Sequence, residues 1–301
     1  MTGQRICPIC GSASVSFHYS AGPVRSAWQD GGKWDAFECS DCKHVFISPQ
    51  PDEAELNGYY ARSYSAYDTD HGTRDPLETL VAQATESKIY RHVRIEPGMR
   101  LLDVGCGGGS FLAVCQKLGA EVMGVEPSEI GVESCRKNDV PVFHGTLTDF
   151  LSETDETYDL ITANHVVEHH PDPVLLLSEM RSALRPDGTV WISIPNAGCY
   201  FSRALKGAWH SADLPVHLHH FSTSSASRLF EQAGLQVQGL RTESQNSLIS
   251  SFAMLLRRRV CIPRRVTMAL FKTAMSKDGW LGQRIDASGN GEAILMSGKA
   301  I

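Results

Sequence analysis

Leu101 to Leu112, LLDVGCGGGSFL, reads as an apolar strand ending on an acidic residue, then a glycine-rich turn that opens a helix. Gly105, Gly107 and Gly109 permit left-handed backbone and let a ligand approach where a Cβ would collide. The turn therefore offers backbone N–H groups to a bound molecule. A dinucleotide fold shares this layout, with the pyrophosphate resting on the helix N-terminus. Two features speak against it. The third glycine of the dinucleotide fingerprint falls at Ser110, whereas the spacing here is Asp-x-Gly-x-Gly-x-Gly from Asp103 to Gly109. Asp103 would also set a carboxylate beside an anionic pyrophosphate, which is unfavourable, yet it attracts an ammonium group. The pattern predicts a ligand with a zwitterionic amino-acid end.

Working outward, Glu121 to Val125 forms the next strand and ends in Glu126-Pro127-Ser128. An acidic residue about 20 positions past the glycine loop is placed to accept both hydroxyls of an adenosine ribose. The bland alternative is that Glu126 only caps the helix starting near Ser128. Strands are expected near 100–104, 121–125, 140–143, 158–163, 189–194, 235–242 and 292–298, and helices near 108–118, 128–138, 172–184 and 223–233. This alternation predicts a doubly wound α/β sheet.

The stretch from Met99 to Leu240 resembles a class I S-adenosylmethionine-dependent methyltransferase. The resemblance rests on LLDVGCGGG, on GVEPS after the second strand, on YDLITANHVVEHHPDP at the fourth, and on LRPDGTVWISIPN at the fifth. These motifs arrive in family order and spacing, over roughly half the chain. The resemblance implies a seven-stranded Rossmann-like sheet with the last strand antiparallel. It also implies S-adenosylmethionine as cofactor, bound by Asp103, Gly105, Gly107, Gly109, Glu126, Pro127 and, against the adenine, Leu147 in the GTLTD turn. Asn164 and His165 should face the methionine end and the methyl group; Glu168 and His169 match the family's Glu-His pair, with a loop-holding role.

The first 50 residues carry Cys7-Pro-Ile-Cys10 and Cys39-Ser-Asp-Cys42, two Cys-x2-Cys knuckles 28 residues apart. Four thiolates complete a closed tetrahedral shell, so Cys7, Cys10, Cys39 and Cys42 are expected to hold a structural Zn2+. The alternating run Ala36 to Ile47 is a hairpin around the second knuckle, which makes the module a zinc ribbon with too few apolar residues for a metal-free core. His44 reads as an ordinary strand residue. Residues 51–98 form a linker and lid helix, with Tyr59, Tyr60, Tyr64 and Tyr67 able either to close over the cofactor or to pack between modules. Residues 99–301 form the methyltransferase domain, with an insertion at about 244–284.

The long connection from Pro195 to Phe221 holds His210, His217, His219 and His220. Loops at the carboxyl edge carry substrate-specific groups, and a neutral histidine there can remove an acceptor's proton. His217 is assigned that role, with His165 beside the methyl group as the other catalytic residue, and most of the remaining histidines are expected to tie the loop down.

Hydrophobic content of 42% and charged content of 21% are ordinary for a globular protein. No apolar run is long enough to span a membrane, and the N-terminus lacks the h-region of a secretory signal. Nine cysteines in clustered pairs suit a reducing cytoplasm. The net charge of −6 argues against nucleic acid as partner, although Ser251 to Met275 carries six basic residues and no acidic one. That segment suits a substrate cap or a peripheral membrane contact. The sequence thus predicts methyl transfer to a small molecule: a sugar, glycolipid or natural-product intermediate. Two alternatives stand beside it, an RNA methyltransferase and a non-catalytic cofactor-binding adaptor that docks a partner through the ribbon.

Overall fold

A computed structural model describes residues 5–23, 32–52, 54–56, 93–244 and 285–301. The tyrosine-rich segment, nearly all of the expected lid helix and the basic segment 251–275 lie outside the described residues.

The N-terminal strands β1 (Val15–Ala21), β2 (Trp34–Cys39) and β3 (Val45–Ile47) pair antiparallel around the two knuckles. The large sheet follows with β4 (Arg100–Val104), β5 (Glu121–Glu126), β6 (Val142–His144), β7 (Tyr158–Asn164) and β8 (Leu184–Pro195). A two-residue strand, β9 (His219–His220), precedes the closing hairpin of β10 (Leu235–Glu243) and β11 (Ala293–Ala300). The large sheet has the order β10-β11-β8-β7-β4-β5-β6. Five strands run parallel, while β11 is antiparallel to both β8 and β10. Leu101, Leu102, Ile161, Ala163, Val190, Ile192 and Ile194 are all fully buried, as strands covered on both faces require.

Among the described residues, the helices α1 (Ser110–Lys117), α2 (Glu129–Lys137), α3 (Leu147–Glu153), α4 (Pro173–Ser182), α5 (Tyr200–Leu205) and α6 (Thr223–Gln232) accompany the sheet. α3 is absent from the sequence reading, although its signal is present. Thr146 accepts from the Asp149 N–H and Asp149 accepts from the Thr146 N–H, a capping box that starts a helix where a plain turn was expected. β8 begins five residues earlier than expected. Tyr158 pairs with Leu184 and Leu160 with Thr189, so the Arg185-Pro-Asp-Gly188 turn bulges out of a continuing strand pair.

The strand order reverses between β4 and β7, and ligands of open α/β sheets bind in the crevice at such a point. A second junction was not legible beforehand. β9 pairs antiparallel with β3, Val45 opposite His220 and Phe46 opposite His219, so the small sheet takes its fourth strand from the histidine-rich loop. Ala36, Val45 and Ile47 share an apolar cluster with Leu214 and Leu218. The ribbon therefore completes its core with residues from the body of the protein. Among the described residues, no helix is long and apolar enough to cross a membrane.

Candidate active site

β4 delivers Asp103 and the glycine turn to the crevice. Gly105, Gly107 and Gly109 adopt φ of 66°, 56° and 76°, the left-handed region the sequence required. A Cβ on Gly105 would lie 2.5 Å from Val166 Cγ2, so the turn closes directly on the loop after β7. Asp103 is buried, and its Oδ1 accepts a 2.6 Å bond from Thr162 Oγ1 on the neighbouring strand. Burial pushes its carboxyl up to about 7, against the Thr162 bond and with help from Glu126. A cation brought beside Asp103 replaces lost solvation and favours the ionised form.

Glu126 is buried at the end of β5. Its Oε2 accepts from the Gly107 N–H at 2.8 Å and its Oε1 from the Ser128 N–H at 2.9 Å. Ser128 in turn caps α2 by accepting from the Gly131 N–H. Glu126 thus ties the glycine turn to the next helix, and since a carboxylate has about four acceptor sites, these two bonds are compatible with holding a ribose diol. Pro127 is exposed beside it, its carbonyl accepting from His144 Nε2–H. Leu147 is the first residue of α3 and is buried in the main apolar core. Asn164 ends β7 with its side-chain oxygen buried and without a hydrogen-bond partner. An orphaned buried acceptor is costly, and a donor from a ligand in the crevice relieves it. The cradle and this acceptor fit an amino-acid-bearing nucleoside.

The loop after β7 carries the most chemistry. His165 takes φ of 54°, strained for a side-chain-bearing residue, and its N–H donates to the Ser193 carbonyl. Its Nδ1 lies 3.0 Å from Glu168 Oε1, with the ring part-exposed and the carboxylate fully buried. Burial pushes the Glu168 carboxyl up, but the His165 bond and the neighbouring His169 and His217 pull it further down, to about 2. Glu168 is thereby a permanent carboxylate that orients His165.

His217 sits against the same carboxylate. It is only 7% exposed, and its Nδ1 is 2.8 Å from the Ser211 carbonyl, to which it must donate. Burial, reinforced by His169, lowers its pKa well below the usual histidine range, so the ring is neutral at pH 7. His219 and His220 tie the loop down as expected. His220 Nε2 donates to the Ala212 carbonyl, His219 Nε2 lies 3.4 Å from the Pro171 carbonyl and 3.5 Å from Gln50 Nε2, and His219 Nδ1 shares a 3.0 Å hydrogen bond with His44 Nε2. His44 is therefore a fully buried anchor between ribbon and body, a role its own neighbourhood in sequence could not reveal because its partner is 175 positions away.

The four ribbon cysteines converge. Cys7 and Cys42 are 3.6 Å apart at sulfur, as are Cys10 and Cys39. A tetrahedral ion held at about 2.3 Å sets thiolates about 3.8 Å apart. Contact with Cys42 and with backbone N–H groups lowers the Cys7 thiol against the opposing effect of burial, while the same contact raises that of Cys42. The Cys42 carbonyl accepts from Ser222 and Ser224, a further tie between ribbon and body.

Residues 77–240 match the methyltransferase domain family. The ubiquinone biosynthesis O-methyltransferase of Xanthomonas axonopodis pv. citri (strain 306) is 30% identical over 199 residues, 62% of this chain and 82% of that protein. The human mitochondrial ubiquinone biosynthesis O-methyltransferase is 29% identical over 216 residues, 62% of this chain and 57% of that protein. In fold, the chain resembles a Haloferax volcanii methyltransferase solved in complex with the Trm112 activator, with TM-score 0.50 at 18% identity, covering 75% of this chain and 98% of that one. It also resembles an S-adenosylmethionine dependent methyltransferase from Listeria monocytogenes, with TM-score 0.51 at 12% identity, covering 73% and 99%. With the family match spanning more than half the chain, and the seven-stranded sheet and glycine cradle in place, this chain belongs to the methyltransferase domain family as an S-adenosylmethionine-dependent enzyme.

Proposed function

We propose that the enzyme methylates an oxygen of a small-molecule acceptor, with His165 as the base. One observation carries this reading: Val166 packs onto Gly105, which seats the His165–Glu168 pair beside the cofactor turn. The names of the similar ubiquinone biosynthesis O-methyltransferases support the acceptor class.

Bound S-adenosylmethionine supplies a methyl group activated by its sulfonium. Asp103 would hold the amino group, Glu126 the ribose, Asn164 a donor at the methionine end, and Leu147 and Pro127 would flank the adenine side. Glu168 keeps the His165 proton on Nδ1, so Nε2 carries the lone pair that accepts the acceptor's proton. Most of the acceleration comes from holding the acceptor in line, and base assistance adds about 10²–10⁴-fold. His217, expected as the base, is buried with its Nδ1–H on the Ser211 carbonyl, so we assign that role to the part-exposed His165 instead. In the ribbon, Cys7, Cys10, Cys39 and Cys42 would hold a structural Zn2+.

The test is transfer of labelled methyl groups from S-adenosylmethionine into a fractionated extract, run with the natural chain and with His165→Ala. Label in polar metabolites or lipids, lost by about 10²-fold or more in the variant while cofactor affinity is kept, is the expected result. Label in RNA would overturn the acceptor class, and full activity of the variant would overturn the base.

A further inference from the structure

The glycine turn carries one side chain whose chemistry cofactor binding, as described above, does not use. Cys106 stands between Gly105 and Gly107, and its sulfur lies 3.8 Å from that of Cys135 on α2, 29 positions along the chain. We propose that Cys106 and Cys135 are a modification site: they form a reversible disulfide that disables the cofactor cradle.

Glycines make the space for both sulfurs. A Cβ on Gly124 of β5 would lie 2.5 Å from Cys106 Sγ, and a Cβ on Gly109 would lie 2.8 Å from Cys135 Sγ. A side chain at either position would displace its sulfur. Cys135 is fully buried and Cys106 is part-exposed, whereas Cys115 and Cys199 are both buried. The pair thus has one member that a small oxidant reaches and one held behind it.

A disulfide sets its sulfurs about 2.05 Å apart, so the two must close by about 1.8 Å. Closure strains the turn, because Gly105 and Gly107 on either side of Cys106 are fixed at φ of 66° and 56°. It also removes a hydrogen bond. Cys135 Sγ donates to the Gly107 carbonyl at 3.2 Å, and a disulfide sulfur has no proton to donate. The N–H of the same Gly107 is bound by Glu126 Oε2 at 2.8 Å. Oxidation therefore loosens the turn at the residue that ties it to the carboxylate proposed for the ribose, and binding sites are sensitive to shifts of about 0.5 Å.

The oxidant is hydrogen peroxide. One peroxide oxygen is transferred to the Cys106 sulfur, giving a sulfenic acid and one water. The Cys135 sulfur then attacks it: the S–S bond forms as the S–O bond breaks, and the hydroxide leaves with the Cys135 proton as a second water. Two thiols are oxidised and one peroxide is reduced. Contact with Cys106 lowers the Cys135 thiol against burial and the nearby Glu126 charge, which suits it to the second step. The same contact, burial and the Asp103 charge raise the Cys106 thiol, so the first step is slow and answers to sustained peroxide. Transient disulfides of this kind occur in reducing compartments. The loss of affinity rests on the cofactor reading; the disulfide does not.

The full chain, its ribbon metal retained, is treated with hydrogen peroxide, digested with trypsin without reduction and analysed by mass spectrometry. The expected product links peptides 101–117 and 118–136, placed by fragmentation on Cys106 and not Cys115, and is reversed by dithiothreitol. Calorimetric affinity for S-adenosylmethionine should fall by about tenfold or more on oxidation and return on reduction. In Cys106→Ser and Cys135→Ser, each variant's affinity should be the same before and after peroxide. Absence of the link in the natural chain, a link through Cys115, a link that leaves affinity intact, or an equal loss in either variant would overturn the proposal. Failure of the reduced natural chain to bind S-adenosylmethionine is a separate result, which would overturn the cofactor reading and the control of the cradle but not the disulfide.

Discussion

Cofactor affinity should follow the ionisation of Asp103. Burial holds this carboxyl at about 7 in the unliganded protein, against about 3.9 for an exposed aspartate. The amino group it is proposed to meet has an ordinary pKa of about 7.9. Binding needs the carboxylate ionised and the amine protonated, so affinity should be bell-shaped with a maximum near pH 7.4. From pH 6 to pH 7.5 the ionised fraction of Asp103 rises from about a tenth to about three quarters, while the charged fraction of the amine falls to about seven tenths. The product predicts tightening of about sixfold, or ~1.1 kcal/mol. The same displacement acts on stability. Between about pH 4 and pH 7 the unfolded chain has released this proton and the folded one has kept it, so the unliganded fold weakens as pH rises through that window. The assay is isothermal titration across pH with S-adenosylmethionine, and with 5′-methylthioadenosine, which lacks the amino acid and should show no acidic limb. Asp103→Asn should flatten that limb as well. A flat profile for the natural chain, or the same limb for both ligands, would refute the pairing of Asp103 with the amine.

Removing the ribbon metal should raise hydrogen exchange in residues 5–50 and also in 214–222, because Ile47 N–H donates to the Leu218 carbonyl and His44 anchors His219; protection of 214–222 that survives chelation would show the two parts to be independent. Gly109→Ala places a Cβ 2.8 Å from Cys135 Sγ at φ of 76°. The left-handed penalty and the crowding together should cost about 2–5 kcal/mol, read as a Tm lower by about 5–15 °C. Phe221 is fully buried with its ring 4.7 Å from that of His44, so Phe221→Ala should destabilise by about 3–5 kcal/mol in denaturant titrations, and a loss below 1 kcal/mol would show the junction to be loosely packed.

The run from Leu101 to Gly109 and the acid at Glu126 indicated a nucleoside with an amino-acid end, and the family resemblance carried by these and two later motifs implied the sheet and the cofactor class. They are local signals: an apolar strand, a left-handed turn and a charge at a fixed distance along the chain. The two Cys-x2-Cys knuckles were equally legible from their spacing, although the close sulfur pairs, Cys7 with Cys42 and Cys10 with Cys39, form across them. What the sequence could not rank were the histidines. His165, His169, His217, His219 and His220 have the same side chain, and their roles differ only through burial and through partners distant in the chain. His44 meets His219 because β3 pairs with β9, and Glu168 collects His165, His169 and His217 because Leu218 pins the turn that carries it. Sequence by itself pointed to the glycine turn and the four cysteines, because each motif is a short pattern of fixed spacing, although the fold closes them through Glu126 on Gly107 and through sulfur pairs across the two knuckles. Only the tertiary structure decided that the ribbon shares its sheet with the histidine-rich loop and that a buried carboxylate stands at the centre of the imidazoles, because both depend on contacts that no local pattern encodes.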